Sequence, residues 1–322
     1  MRKFFRWFAL VVFAAALVGP FLVPVNTSGN LTKEAAAAEI WGDESQWHDV
    51  GDLEVHFVEA GDPASGRFIL LLHGFGASAW SFKENLAALS QIGHVVAFDR
   101  PAFGFTSRPE GWDGTNPYGF ESQIAIIDAF IDSFGVGKEV ILLGHSQGGS
   151  IAASYAEARQ ERLSGLVLFA PAVLSGGGVP GGLAWLLDVP QIDHLGPLLV
   201  SSIASSGLDI LYSSYVDQSK ITDATLGAYT QPLKISGWER AFWEFTKAPR
   251  DGDVAAGLTK ITIPTLVIAG DQDQIVPTAD SIEAASQIHG SELVIIPRTG
   301  HLPNEESPAE FASAVVSFIS RN

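Results

Sequence analysis

Gly144-His145-Ser146-Gln147-Gly148 stands between an apolar run, Val140 to Leu143, and a helical stretch, and few backbone arrangements accept it. A chain that turns from strand to helix in so few residues holds the central one in a strained conformation. The residues two places to either side must then lack bulk, as Gly144 and Gly148 do. Ser146 is thereby lifted clear of its own backbone at a helix N-terminus. There, free N–H groups and the helix dipole favour developing negative charge. A serine so placed is a candidate nucleophile, but serine is weak alone and needs a base beside it.

The rest of the chain suits such a turn. Leu53 to Val58 alternates and predicts an antiparallel strand. Phe68 to Leu72, Val95 to Phe98, Val140 to Leu143 and Leu166 to Phe169 are short apolar runs of the kind buried on both faces of a parallel sheet. Helical stretches around Ala79 to Leu89, Ser122 to Phe134 and Ser150 to Arg159 separate them. The expected class is α/β, a doubly wound, mostly parallel sheet with right-handed crossovers. From Leu174 to Lys260 the rhythm breaks: a Gly-rich entry, Ser175 to Gly178, leads into apolar and aromatic segments without strand punctuation. Alternation resumes at Pro264 to Ala269 and Leu293 to Ile296. A final helix is expected over Pro308 to Ile319, with Ser307 as N-cap and Glu310 at the capping-box position. The expected organisation is an N-terminal segment over 1–30, a linker over 31–46, a core over 47–173 and 261–322, and a helical insertion over 174–260.

Two loops offer partners for Ser146. Gly270 to Pro277 follows a strand and carries Asp271 and Asp273. Asp273, four residues before the proline, is expected at the loop tip, orienting a histidine; Asp271 is the fallback, with turn formation as its plainer role. His301 follows the last strand, at the carboxyl edge where such sheets place their ligands, and is the expected general base. His48, His56 and His94 fall at strand positions, His194 and His289 in polar contexts, and His73 and His145 flank motifs; all are expected to be packed or solvated. The backbone N–H groups of Phe75 and Gln147 are the expected oxyanion donors. Asp99 is expected to bond backbone N–H groups in a structural turn.

The motifs HGFG, DRPAFG, GHSQGG, GDQDQIVP and GHLPNEESP, in this order, resemble those of the α/β-hydrolase superfamily over roughly residues 47 to 322. The chain is most similar to the capped group containing meta-cleavage-product hydrolases, small-molecule esterases and epoxide hydrolases. That resemblance implies an α/β-hydrolase fold with a helical cap inserted after the sixth strand. It also implies Ser146, Asp273 and His301 as triad, Phe75 and Gln147 as oxyanion donors, and no metal or organic cofactor. Epoxide hydrolases and haloalkane dehalogenases carry aspartate at the elbow, so Ser146 points away from both. The HGFGAS loop is less rich in Gly and Pro than meta-cleavage hydrolases usually have. The expected activity is hydrolysis of a hydrophobic carboxylic ester or related acyl substrate. Carbon–carbon bond hydrolysis, cofactor-free perhydrolase or haloperoxidase chemistry, and a membrane-tethered ligand-binding receptor with a slow triad remain open.

The insertion carries Trp185, Tyr212, Tyr215, Tyr229, Trp238, Phe242, Trp243 and Phe245. Over a catalytic serine they would make an apolar, water-poor pocket, and Phe75, Trp185, Trp238 and Trp243 are the expected substrate-binding residues. A net charge of −17 argues against nucleic acid as a partner. With no cysteine, disulfides, thiolate metal sites and cysteine nucleophiles are excluded. Arg2, Lys3 and Arg6 precede an uncharged apolar run from Trp7 to Val25, the pattern of a signal peptide or signal anchor. Its length nears the ~20 residues that span a bilayer, and no small-x-small cleavage site follows directly, although Pro20 and Pro24 interrupt a helix. A retained anchor would leave the globular part outside the cytoplasm, and a cleaved one would release it. Residues 26–45, with Ala35 to Ala38, are expected to form a tether.

Overall fold

These runs form an eight-stranded sheet in a computed structural model of the protein, which describes residues 2–25, 28–174, 183–201, 203–248 and 253–322. The strands are β1 (Gln46–Val50), β2 (Leu53–Ala60), β3 (Arg67–Leu72), β4 (His94–Phe98), β5 (Glu139–His145), β6 (Gly165–Phe169), β7 (Thr265–Gly270) and β8 (Glu292–Ile296). They lie in the order β1-β2-β4-β3-β5-β6-β7-β8. The β1–β2 and β2–β4 pairs are antiparallel and the others parallel. β2 is the antiparallel strand that its alternation predicts. β1 has no counterpart in the sequence reading, because an edge strand that is half-exposed along its length carries no apolar run.

The helices are α1 (Arg2–Val18), α2 (Lys33–Trp41), α3 (Lys83–Leu89), α4 (Phe120–Phe130), α5 (Ser146–Arg159), α6 (Pro190–Ser201), α7 (Ile203–Ser213), α8 (Asp223–Thr230), α9 (Trp238–Lys247), α10 (Val254–Gly257), α11 (Thr278–Gln287), α12 (Pro303–Glu306) and α13 (Pro308–Arg321). Side chains alternate across the sheet. Leu70, Leu72, Leu142 and Leu168 pack on one side with α4 and α5. Ile69, Leu71, Leu143 and Val167 pack on the other with α2, α3 and α13. All eight are fully buried, each such burial being worth about 1.5–3 kcal/mol. Two-sided burial is why these strands read as unbroken apolar runs.

Between β6 and β7 the chain leaves the sheet and builds a helical cap from α6 to α10. The Gly-rich stretch Ser175 to Gly178 lies outside the described residues. Chain order reverses at the β3–β5 pair, since β4 lies on one side of β3 and β5 on the other. The loops leaving β3 and β5 therefore meet at the carboxyl edge, and a crevice opens there.

Two expectations are corrected. Residues 33–41, read as part of a tether, form α2, with Thr32 capping its N-terminus through a bond from the Ala35 N–H. Ala36, Ala37 and Trp41 are buried against the sheet, so an alanine patch that reads as linker serves as a closely packed helix face. Ser307 does precede α13, but its hydroxyl forms no cap; it bonds to Thr299 Oγ1 at 2.7 Å and ties the helix start to the His301 loop.

Phe4–Leu22 is long and apolar enough to cross a membrane, with a mean hydropathy of 1.9 and none of it buried. α1 stops at Val18 and a 3-10 turn carrying Pro20 follows, in keeping with the helix-breaking prolines. The end of this segment touches the cap: His194 Nε2 donates to Val23 O (3.1 Å), and Gln191 Nε2 donates to Leu17 O (3.2 Å). Residues 28–31 are bound more firmly. Trp238 Nε1 donates to Ser28 Oγ (2.9 Å), Ser28 N and Oγ both donate to Glu239 Oε1 (2.6 Å each), and Leu31 N donates to Lys234 O (2.9 Å).

Candidate active site

β5 runs straight into α5, and Ser146 sits at the junction with φ +48°, a conformation costly for a residue with a side chain. The flanking glycines show why no larger residue fits. A Cβ on Gly148 would lie 2.5 Å from His73 O, and one on Gly144 would lie 2.5 Å from Gly148 O. Ser146 is buried and faces a cavity of about 150 Å3.

His301 lines the same cavity. Its Nδ1–H donates to Asp273 Oδ2 at 2.8 Å, which leaves Nε2 as the bare nitrogen of the neutral ring. Asp273 Oδ1 accepts from the N–H groups of Ile275 (2.8 Å) and Val276 (3.0 Å), so the carboxylate is fixed at both oxygens. Asp271, by contrast, is exposed and takes a turn bond from Thr299 N–H (3.2 Å). The histidine backbone is held as well: His301 N–H donates to Ser214 O (2.8 Å), and His145 Nε2–H donates to His301 O (2.9 Å). Among the described residues no hydrogen bond joins Ser146 Oγ to the His301 ring in this conformation, although both border one space.

Phe75 follows β3 and lines the cavity, and Gln147 occupies the first turn of α5. Among the described residues neither N–H donates to a protein acceptor, as expected at a helix N-terminus and at a loop facing a crevice. Behind them lies a network built on Arg100, a fully buried side chain. Its guanidinium donates to Gly74 O (3.1 Å), Gln147 Oε1 (3.0 Å) and Gln123 Oε1 (2.9 Å). His73 Nδ1–H adds a second bond to Gly74 O (2.7 Å), and His73 Nε2 accepts the Arg100 N–H (2.9 Å). Burial pulls the His73 pKa down to about 3, helped by the charge of Arg100. Burial likewise holds His145 well below the ordinary histidine value. Asp99 accepts from the N–H groups of Ala79 and Phe105 (2.7 Å each), the structural turn its position predicts.

The cavity wall is apolar. Phe75, Leu208, Leu211, Leu233, Trp238 and Phe242 line it, and among the described residues no lysine or arginine does. Of the aromatic residues expected there, Phe75 and Trp238 take part. Trp185 is 63% exposed and does not border the cavity. Trp243 is turned into the cap, where its Nε1–H donates to Asp193 Oδ1 at 2.9 Å. On a helix, an aromatic residue facing the lid's own interior leaves the same sequence signal as one facing the ligand. The leucines of α7 and the Arg100 network were not singled out from sequence. Arg100 carried one signal, its place directly after Asp99 at a strand end.

A second cluster joins the cap to the core. Glu305, on α12, accepts from Ser81 Oγ (2.5 Å), Tyr229 Oη (2.6 Å) and Tyr215 Oη (2.8 Å), and burial raises its pKa. Glu306 accepts from the N–H groups of Val216 (2.9 Å), Asp217 (2.7 Å) and Gly300 (2.7 Å).

Residues 69–314 match the model of the alpha/beta hydrolase family. The chain is 27% identical to a 2-hydroxy-6-oxo-6-(2'-aminophenyl)hexa-2,4-dienoic acid hydrolase of Metapseudomonas resinovorans, across 92% of this chain and 97% of that one. It is 25% identical to the monoacylglycerol lipase abhd6-A of Xenopus laevis, across 87% and 83%. Among solved structures, a membrane phospholipase A superposes with a TM-score of 0.64 at 24% identity, covering 99% of this chain and 98% of the other, a likeness of fold. With an eight-stranded, mostly parallel sheet, a serine elbow and a helical cap, the chain belongs to the alpha/beta hydrolase family.

Proposed function

We propose that this hydrolase cleaves an uncharged carboxylic ester with an apolar acyl group through an acyl-enzyme on Ser146. His301 accepts the Ser146 proton as the serine attacks the carbonyl, their bond tightening when substrate enters, as it commonly does in this chemistry. The oxyanion is held by the N–H groups of Phe75 and Gln147. His301 then protonates the leaving alcohol, and water, deprotonated by the same ring, releases the acid. Asp273 keeps the ring in the right tautomer throughout.

The observation that carries the substrate class is the cavity's chemistry: apolar walls with no cation among the described residues. A carboxylate buried there would have no cationic partner among the described residues and would cost several kcal/mol. This weighs against the second reading, carbon–carbon cleavage of a dienoic acid, which the relative from Metapseudomonas resinovorans favours. A space of about 150 Å3 suits a benzene-sized group or a short to medium acyl chain. A p-nitrophenyl ester series should therefore peak between butyrate and octanoate, and a preference for acetate would overturn the pocket reading. A fluorophosphonate probe should label wild type but not Ser146→Ala; an unlabelled wild type would return the molecule to a binding role.

We also propose that α1 anchors the protein in a membrane with its catalytic body outside the cytoplasm. Arg2, Lys3 and Arg6 on the inner side and the exposed apolar span support this. Protease treatment of spheroplasts should digest the body and spare the first residues.

A further inference from the structure

Arg100 is a cation that its surroundings do not neutralise. Its three hydrogen-bond acceptors are uncharged, Phe103 lies under its guanidinium at 5.1 Å, and among the described residues no carboxylate pairs with it. A buried charge without a counter-ion is unfavourable for the fold, and such costs persist where they serve a site. Two of its acceptors belong to the expected oxyanion donors. Gly74 O is the far end of the peptide whose N–H is that of Phe75, and Gln147 carries the other donor. Since guanidinium only donates, its bond also fixes which end of the Gln147 amide faces inward.

We propose that Arg100 is a positioning residue for the oxyanion hole, holding the Gly74–Phe75 peptide and Gln147 in place and strengthening the Phe75 N–H toward a negatively charged oxygen. This rests on the acyl-enzyme reading given above. Two donors, Arg100 Nη2 and His73 Nδ1, converge on Gly74 O, and hydrogen bonds in series polarise one another in a dry interior. The Arg100 N–H in turn fixes the His73 tautomer that makes the second bond possible. Burial lowers the guanidinium pKa to about 9, so the group is a cation at neutral pH. The positive end of this relay points where charge appears in the transition state and is absent in the bound ester. Its effect therefore falls on kcat and leaves KM.

The test compares full-length wild type, Arg100→Met, Arg100→Lys and Ser146→Ala. It uses p-nitrophenyl butyrate and an alkyl trifluoromethyl ketone. Ser146 Oγ adds to the ketone carbon, its proton passes to His301, and the ketone oxygen becomes an oxyanion, so the inhibitor reports on the hole directly. Arg100→Met should lower kcat about 100-fold and weaken the ketone by a similar factor, with KM within about threefold. Arg100→Lys, which restores the charge without the fork, should recover about tenfold in both. A folded Arg100→Met enzyme with near wild-type kcat and ketone affinity overturns the proposal. So does a loss shared equally by KM and kcat that Lys does not relieve, which marks a scaffold role. If Arg100→Met does not fold, Arg100→Lys decides. About tenfold weaker ketone binding at unchanged KM is then expected, and wild-type binding overturns it. Ser146→Ala separates the two readings: full turnover there removes the acyl-enzyme and Arg100's role with it, whereas a dead Ser146→Ala beside an unaffected Arg100→Met removes Arg100's role alone.

Discussion

Asp273 accepts the imidazole through one oxygen and two backbone N–H groups through the other, so its orientation does not depend on substrate. Asp273→Asn should keep the fold and lower kcat by about 10⁴, by favouring the wrong tautomer of His301. Asp271→Asn, altering only a turn, should stay within about threefold of wild type. Two other histidines predict the acid behaviour of the fold. His73, with a folded pKa of about 3, and His145, held well below its ordinary value, stay neutral when native and protonate at about 6.5 when unfolded. The unfolded state thus binds more protons in between. Stability is full above about pH 6.5 and falls as pH drops toward 3, by up to about 1.4 kcal/mol per pH unit for each group. Urea midpoints measured from pH 7 to 4 should fall accordingly, and His73→Leu should flatten the slope. The places of Ser146, Asp273 and His301 at the carboxyl edge were legible because each follows a strand and has neighbours that announce it. Arg100 was not, because its partners are a carbonyl and two amides, which leave no residue pattern.

The elements hold the cap at two different places. Tyr215 and Tyr229 reach down to Glu305, only four residues from His301, while Glu306 ties residues 216 and 217 to Gly300. Tyr215→Phe and Tyr229→Phe should each cost about 1 kcal/mol, read as a lower thermal midpoint. Because Tyr229 also lines the cavity, its substitution should raise KM for butyrate more than that of Tyr215 does. None of this was legible beforehand, since GHLPNEESP marks the loop without saying that its glutamates face a cap some 80 residues away. α2 escaped for a related reason. Four consecutive alanines carry no amphipathic signal, yet Ala36 and Ala37 are small enough to bring a helix hard against the sheet.

At the scale of the whole molecule, the succession of strands and helices along the chain and its break after β6 were legible, because two-sided burial leaves runs that are easily seen, whereas the order of strands within the sheet left no such mark. The N-terminal forty residues divide less obviously. Residues 4–22 are buried nowhere along their apolar span, while residues 28–41 bond to the cap and pack on the sheet. Deleting residues 1–25 should leave turnover intact and remove the need for detergent. Deleting 1–45 should cost about 3–5 kcal/mol, chiefly through the seat of Trp41, and lower the unfolding midpoint in urea.

The bonds of Ser28 and Leu31 to Lys234, Trp238 and Glu239 have a mechanical result. The α8–α9 half of the roof is clamped from above by residues 28–31 and from below by Glu305, and Asp193 bonds α6 to Arg240, Trp243 and Lys247 of α9, so α6 is held to that half as well. Amide exchange within the roof should be fastest along α7, whose Leu208 and Leu211 line the same cavity as Ser146. Gln191 and His194 in turn bond α6 to Leu17 and Val23, so the roof and the end of the apolar N-terminal helix are coupled as one piece.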